Sequence, residues 1–293
     1  MIPSSDDCRG LRTDLNEERL MIRSKGSLSL AAGVVMLALL LALPGLAAAA
    51  PIIPAGWTCS EGGNCGTLGP DGVVTAPPGG STYQYVSTSG APTFSGLNLG
   101  FNETNGSLLT TSAFSASGTT VLAFNFNFVT SDGAGFPEYA YAQLAPSGGS
   151  PILLFTARTC ETTPCNTVPG VGMPPLGVGV TLVPPSTPVT PNATTWSALG
   201  SSSGSCWAVG CGNSGWIQAE YTPAAGAYAL QFGVVNVNDQ AFDTGMAIAG
   251  ATIGDIPIGD DLAVVPEPTT LILFGSTMAG LGFASRWRRR RLN

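Results

Sequence analysis

The chain has 293 residues, 18 acidic and 11 basic side chains, and no histidine. The missing histidine excludes Ser-His-Asp and Cys-His catalytic arrangements and His-ligated zinc, and removes the usual general base near neutral pH. Residues 51–265 hold twelve acids against one base, Arg158, a net of −11. A surface of that sign repels phosphate backbones, so nucleic acid is not an expected partner, whereas Ca²⁺ is a cation it would attract.

At the N-terminus, Arg23 and Lys25 precede an apolar run from Leu28 to Leu43. Pro44 and Gly45 break it, and Leu46-Ala47-Ala48-Ala49-Ala50 follows. Basic, apolar and small-residue segments in that order read as a secretory signal, cut by signal peptidase near Ala50; the alternative is an uncleaved anchor. Residues 1–20 are too charged for such a segment, and Met21 is the expected start of translation.

Residues 51–262 are expected to form the folded passenger. They are rich in Gly, Pro, Ser and Thr, and long charged side chains are scarce, which favours strands joined by turns. Six of the seven cysteines fall here, in close pairs: Cys59 and Cys65, Cys160 and Cys165, Cys206 and Cys211. An even count in an exported chain implies disulfides. Six cysteines allow fifteen connectivities; nearness in sequence favours the local one, with a Cys-rich zinc site as the alternative.

Strands are expected at 82–87, 120–129, 139–144, 151–157, 227–237 and 246–253. In the second, Phe124, Phe126 and Phe128 share one face, and Asn125 and Asn127 the other. The Gly-Pro-rich stretch 168–191 reads as loop. The expected fold is all-β, an antiparallel two-sheet, jelly-roll-like β-sandwich flanked by an N-terminal signal helix and one C-terminal transmembrane helix.

Asp132, Glu138, Asp239 and Asp243 lie on expected turns. They are candidate Ca²⁺ or sugar contacts, or simple turn caps through side-chain to backbone bonds. Trp57, Trp196, Trp207 and Trp216 could stack on sugar rings or pack internally. Trp207 sits between Cys206 and Cys211 and is the leading contact candidate. Glu138 and Glu220 are the acids a glycosidase would pair. Nothing in their surroundings singles them out, and a non-enzymatic role without a required cofactor, Ca²⁺ aside, is expected. Three Asn-x-Ser/Thr triplets, at 102, 105 and 192, read as chance matches in a Ser/Thr-rich chain.

The stretches FNFNFVTSDGAGFPEYAYAQL (124–144) and LQFGVVNVNDQAFDTGMAIAGATI (230–253) resemble bacterial exported PEP-CTERM passengers, implying a lectin-like or choice-of-anchor β-sandwich. Residues 263–293 strengthen the resemblance. Val265-Pro266-Glu267-Pro268 precedes the uncharged run 269–285, which is at the short end for a membrane span. Arg286, Trp287, Arg288, Arg289, Arg290 and Arg291 follow. Basic residues stay cytoplasmic, so the passenger would lie outside.

This order is similar to the PEP-CTERM sorting domain. The resemblance implies exosortase as partner, Pro266, Glu267 and Pro268 as its recognition motif, and the arginines as a cytoplasmic stop. The inner membrane would anchor the precursor. The destination would be the cell envelope or extracellular matrix of a Gram-negative bacterium, with polysaccharide as an expected ligand. A secreted glycan hydrolase and a Ca²⁺-stabilised coat component remain alternatives.

Overall fold

In a computed structural model, the structure describes residues 53–259 except 137, 159–166 and 186–188. The expected signal segment, the expected sorting tail and the Cys160/Cys165 pair therefore lie outside the described residues. Among the described residues, no helix is long and apolar enough to cross a membrane.

The first strands are β1 (Thr58–Cys59), β2 (Asn64–Leu68), β3 (Tyr83–Ser87), β4 (Glu103–Thr110) and β5 (Phe114–Ala116). Then come β6 (Leu122–Thr130), β7 (Tyr139–Pro146), β8 (Ile152–Arg158), β9 (Thr181–Val183) and β10 (Thr190–Pro191). A 3₁₀ segment, Ser197–Ser202, precedes β11 (Gly212–Asn213), β12 (Ile217–Tyr221), β13 (Gly226–Val237), β14 (Thr244–Ile253) and β15 (Ile256–Pro257).

The strands make two antiparallel sheets. One runs β1-β4-β13-β7-β8, with β5 beside β13; the other runs β10-β11-β6-β14-β3-β2, with β12 on β6, β9 on β12 and β15 on β14. Within them, β4-β13-β7-β8 faces β3-β14-β6-β12, the order of two interleaved Greek keys. The passenger is a jelly roll. The stretch 168–191, expected as loop, supplies the edge strand β9 and all of the short β10. β9 is three residues long, too short for its alternation to stand out.

Period-two alternation explains the core. Phe124, Phe126 and Phe128 of β6 are buried between the sheets. Phe126 stacks on Phe155 of β8 at 4.1 Å between centroids, and Phe124 meets Phe232 of β13 edge-on at 5.1 Å. The outer faces are covered too. Trp196, Ala198 and Leu199 roof Tyr83, Tyr85 and Ala247 on one sheet. Phe94, Leu97 and Leu99 roof Tyr139, Tyr141 and Val235 on the other. Cys59 and Cys65 form a disulfide joining β1 of one sheet to β2 of the other.

Toward one end of the sandwich the inward positions turn polar. Thr130 continues the Phe124–Phe128 face of β6 and stands opposite Thr244 of β14. Ser107, opposite Val234, donates its hydroxyl across to the Ser87 carbonyl at 2.6 Å. The candidate residues gather at this end.

Candidate functional site

Three connections meet here: β6–β7 (131–138), the segment before β11 (203–211), and β13–β14 (238–243). The backbone N–H of Trp207 donates to the Ser131 carbonyl at 2.9 Å, and that of Ala134 to Val209 at 2.8 Å. Ser131 donates from both its amide (3.1 Å) and its hydroxyl (2.8 Å) to the Asp243 carbonyl. Gly133 permits the approach, because a Cβ there would collide with the carbonyl oxygens of Ala208 and Val209. Cys206 and Cys211 are disulfide-bonded, clipping the loop that carries Trp207.

This packing presents an aromatic trio. Trp207 is 53% exposed. Phe136 meets it edge-on at 6.1 Å, and Phe242 lies 5.3 Å away at a tilt. Phe242 sits at φ +59°, a conformation that aromatic residues rarely adopt and that costs roughly 1–3 kcal/mol, held here by the turn around it. Beside it, Ser201, Ser202, Ser205, Gln240 and Asp243 help line an open depression of about 280 Å³.

The four carboxylates foreseen on these turns stand behind the trio. Asp132 and Asp239 do cap turns: Asp132 Oδ1 accepts the Gly133 amide at 2.7 Å, and Asp239 Oδ1 the Ala241 amide at 2.9 Å. Asp243 accepts hydroxyls from Thr88 (3.2 Å) and Ser202 (3.0 Å). Glu138 is fully buried. Its Oε2 accepts the Thr244 hydroxyl, which also lies 2.7 Å from that of Thr130. Its Oε1 has no partner. Burial pushes the Asp132 carboxyl up to about 7, with the charge of Asp239 adding to the effect and the Gly133 amide opposing it. Burial, then the charge of Asp132, raises Glu138 well above the carboxylate range. Burial also raises Asp243, against its hydroxyl donors.

Other candidates are dispersed. Trp57 and Trp196 are buried packing residues. Glu220 pairs with Ala123, whereas Glu138 lies by Thr130, seven residues along β6, a separation of roughly 20 Å. The structure does not bring that pair together. Sequence reading missed Phe136, Phe242 and Asn236. The two phenylalanines sit on turns with no period to reveal them. Asn236 was hidden in the apolar run GVVNV, although an amide among inward apolar positions is a usable signal. Among the described residues, no three acidic, Cys or His side chains are placed to hold one metal ion.

Residues 264–290 match the PEP-CTERM protein-sorting motif. The match takes in Pro266, Glu267 and Pro268 with most of the arginine run. It supports an exported protein processed by exosortase, with a membrane-anchored precursor. No curated protein matches the chain. Among solved structures, the K1 cleaved adhesin domain of Lys-gingipain from Porphyromonas gingivalis W83 is similar at 14% identity, covering 68% of this chain and 94% of that one, with a TM-score of 0.31. That likeness is too loose to speak to function.

Proposed function

We propose that the jelly roll is a non-enzymatic, glycan-binding module that the sorting tail delivers to the cell envelope or extracellular matrix of a Gram-negative bacterium. The signal segment starts the export and exosortase completes it. The observation that carries the binding reading is the exposed Trp207, buttressed by Phe136 and Phe242 beside a serine-lined depression. Sugar rings present C–H faces to aromatic planes and hydroxyls to polar neighbours, and this surface offers both. The net charge of −11 favours neutral or cationic polysaccharides over polyanions. The separation of Glu138 from Glu220 weighs against the hydrolase alternative.

The test is a glycan-array screen of the full chain, followed by affinity measurement on the best ligand. Trp207→Ala should weaken binding about thirty-fold, the usual effect of truncating a central aromatic contact. Binding unchanged in Trp207→Ala, or steady release of reducing ends from the glycan, would sink the proposal. For the tail, changing Pro266, Glu267 and Pro268 to Ala should leave the chain in the membrane fraction of a host that has exosortase.

A further inference from the structure

The polar end of the inter-sheet core contains two side chains whose bonding is incomplete. Glu138 and Asn236 are both 0% exposed. Glu138 Oε1 lacks a partner, as do both Oδ1 and Nδ2 of Asn236. The ladder register relates them. Val235 of β13 pairs with Tyr139 of β7, and both belong to the cluster on the outer face. The neighbours Asn236 and Glu138 therefore turn inward at the end of the ladder, toward Thr130 and Thr244 of the opposite sheet. The bond from Thr244 to Glu138 confirms that direction.

Two orphaned oxygens in one dry place need a common explanation, since each costs about 1–3 kcal/mol or more if left unpaired. Asn236 Nδ2 is a donor and needs a neighbouring acceptor, such as a bound water, whichever positive species sits between the two oxygens. The charges of Asp132, then Asp243 and Asp239, favour any positive occupant beside Glu138, a proton or a cation, and the test below separates the two. A divalent cation is the occupant that both oxygens could ligate together, and the net charge of −11 over residues 51–265 would draw one in. The available donors are carboxylate, amide and hydroxyl oxygens. That set suits Ca²⁺, which takes six to eight oxygens in irregular geometry, better than Mg²⁺, which demands an octahedron, or Zn²⁺, which prefers imidazole and thiolate.

We propose that Ca²⁺ binds between the sheets at this end, on Glu138 Oε1, Asn236 Oδ1 and the Asp132 carboxylate, with hydroxyl, carbonyl and water oxygens completing its shell. The site has only two acids, so neutral oxygens must supply most of the shell. Asp239 and Asp243 contribute charge from behind. The ion would tie the end of β7 to β13 and stiffen the β6–β7 connection, on which the Trp207 loop rests.

The experiment uses the full chain, stripped with EDTA and melted with and without a few millimolar Ca²⁺, the affinity range of extracellular calcium modules. Melting should rise by about 5–10 °C with Ca²⁺, and much less with Mg²⁺. Tb³⁺ should luminesce on tryptophan excitation, Trp207 being hydrogen-bonded to the residue before Asp132, and Ca²⁺ should quench the emission by displacement. Glu138→Gln should abolish both responses. Asn236→Asp should tighten Ca²⁺ binding at least tenfold, and this decides the matter if Glu138→Gln does not fold. A wild-type chain with neither a melting shift nor Tb³⁺ emission holds only water or a proton there, and the proposal falls. It falls equally if Glu138→Gln responds like wild type, or if Asn236→Asp leaves the affinity unchanged. The readout is the metal alone, so failure of glycan binding leaves this result standing.

Discussion

The middle of the inter-sheet core and its polar end are built from the same strands, β6, β7, β13 and β14, by the same alternation. In the middle, inward positions carry Phe124, Phe126, Ala142, Phe232 and Ile248, all buried. Near the end, the same faces carry Thr130, Glu138, Asn236 and Thr244, equally buried. Burial is constant; chemistry changes. The middle gains stability from apolar area at about 25 cal/mol per Å². The end loses some of that, because a carboxyl and an amide are dehydrated without full compensation. One interior holds the sheets together, while the other holds functional groups in place at a cost in stability.

The strongest way to break this comparison is to damage the middle. Phe126 is 0% exposed and stacked on Phe155. Phe126→Ala should cost about 3–5 kcal/mol, the range for emptying an aromatic site in a packed core. Urea denaturation would measure it, and a loss below about 1 kcal/mol would mean that the two interiors are not as different as their side chains suggest.

The next effect separates the regions by pH, since only the polar end titrates. The ordinary value of the Asp132 carboxyl, 3.8, is raised to about 7. The native state therefore holds its proton at pH values where the unfolded chain has released it. In the calcium-free protein, this contribution is fully favourable below about pH 4. It is lost as pH climbs toward 7, by up to about 4 kcal/mol, with Glu138 and Asp243 acting in the same direction. Melting in EDTA across pH 4–8 should show the fall. Asp132→Asn should make the fall shallower, leaving the share of Glu138 and Asp243, and Phe126→Ala should shift the whole curve without changing its slope.

The same contrast decides what could be read from the sequence. The middle announced itself: FNFNF, AYALQF and GMAIA alternate large apolar residues, and the expected strands 120–129, 227–237 and 246–253 match β6, β13 and β14 closely. β4 (ETNGSLLT) was not foreseen because its inward positions include Asn105 and Ser107, which satisfy themselves through Thr88 and Ser87 carbonyls rather than through apolar contact. β12 (IQAEY) was too short to stand out. At the site, Asp132, Glu138, Asp239, Asp243 and Trp207 were legible as acids on turns and an aromatic in a cysteine loop. Their convergence was not, because it depends on three connections distant in sequence. The disulfides Cys59–Cys65 and Cys206–Cys211 form as nearness suggested.

Those two disulfides give the smallest and most local test. Each closes a ring of six or seven residues, and chain-entropy reasoning assigns such a ring about 2 kcal/mol at most. Their positions differ more than their energies. Cys59–Cys65 joins the two sheets at their edge, where Cys65 is buried in the main core. Cys206–Cys211 joins nothing beyond its own loop, and that loop supports Trp207. Replacing Cys206 and Cys211 with Ser should lower the denaturation midpoint only slightly and increase quenching of tryptophan emission by iodide, because Trp207 is the most exposed indole among the described residues. Replacing Cys59 and Cys65 should lower the midpoint comparably and leave the quenching unchanged. If the two pairs gave the same quenching, the Trp207 platform would be held by its loop's backbone bonds to Ser131 and Ala134, and the disulfide would be incidental to it.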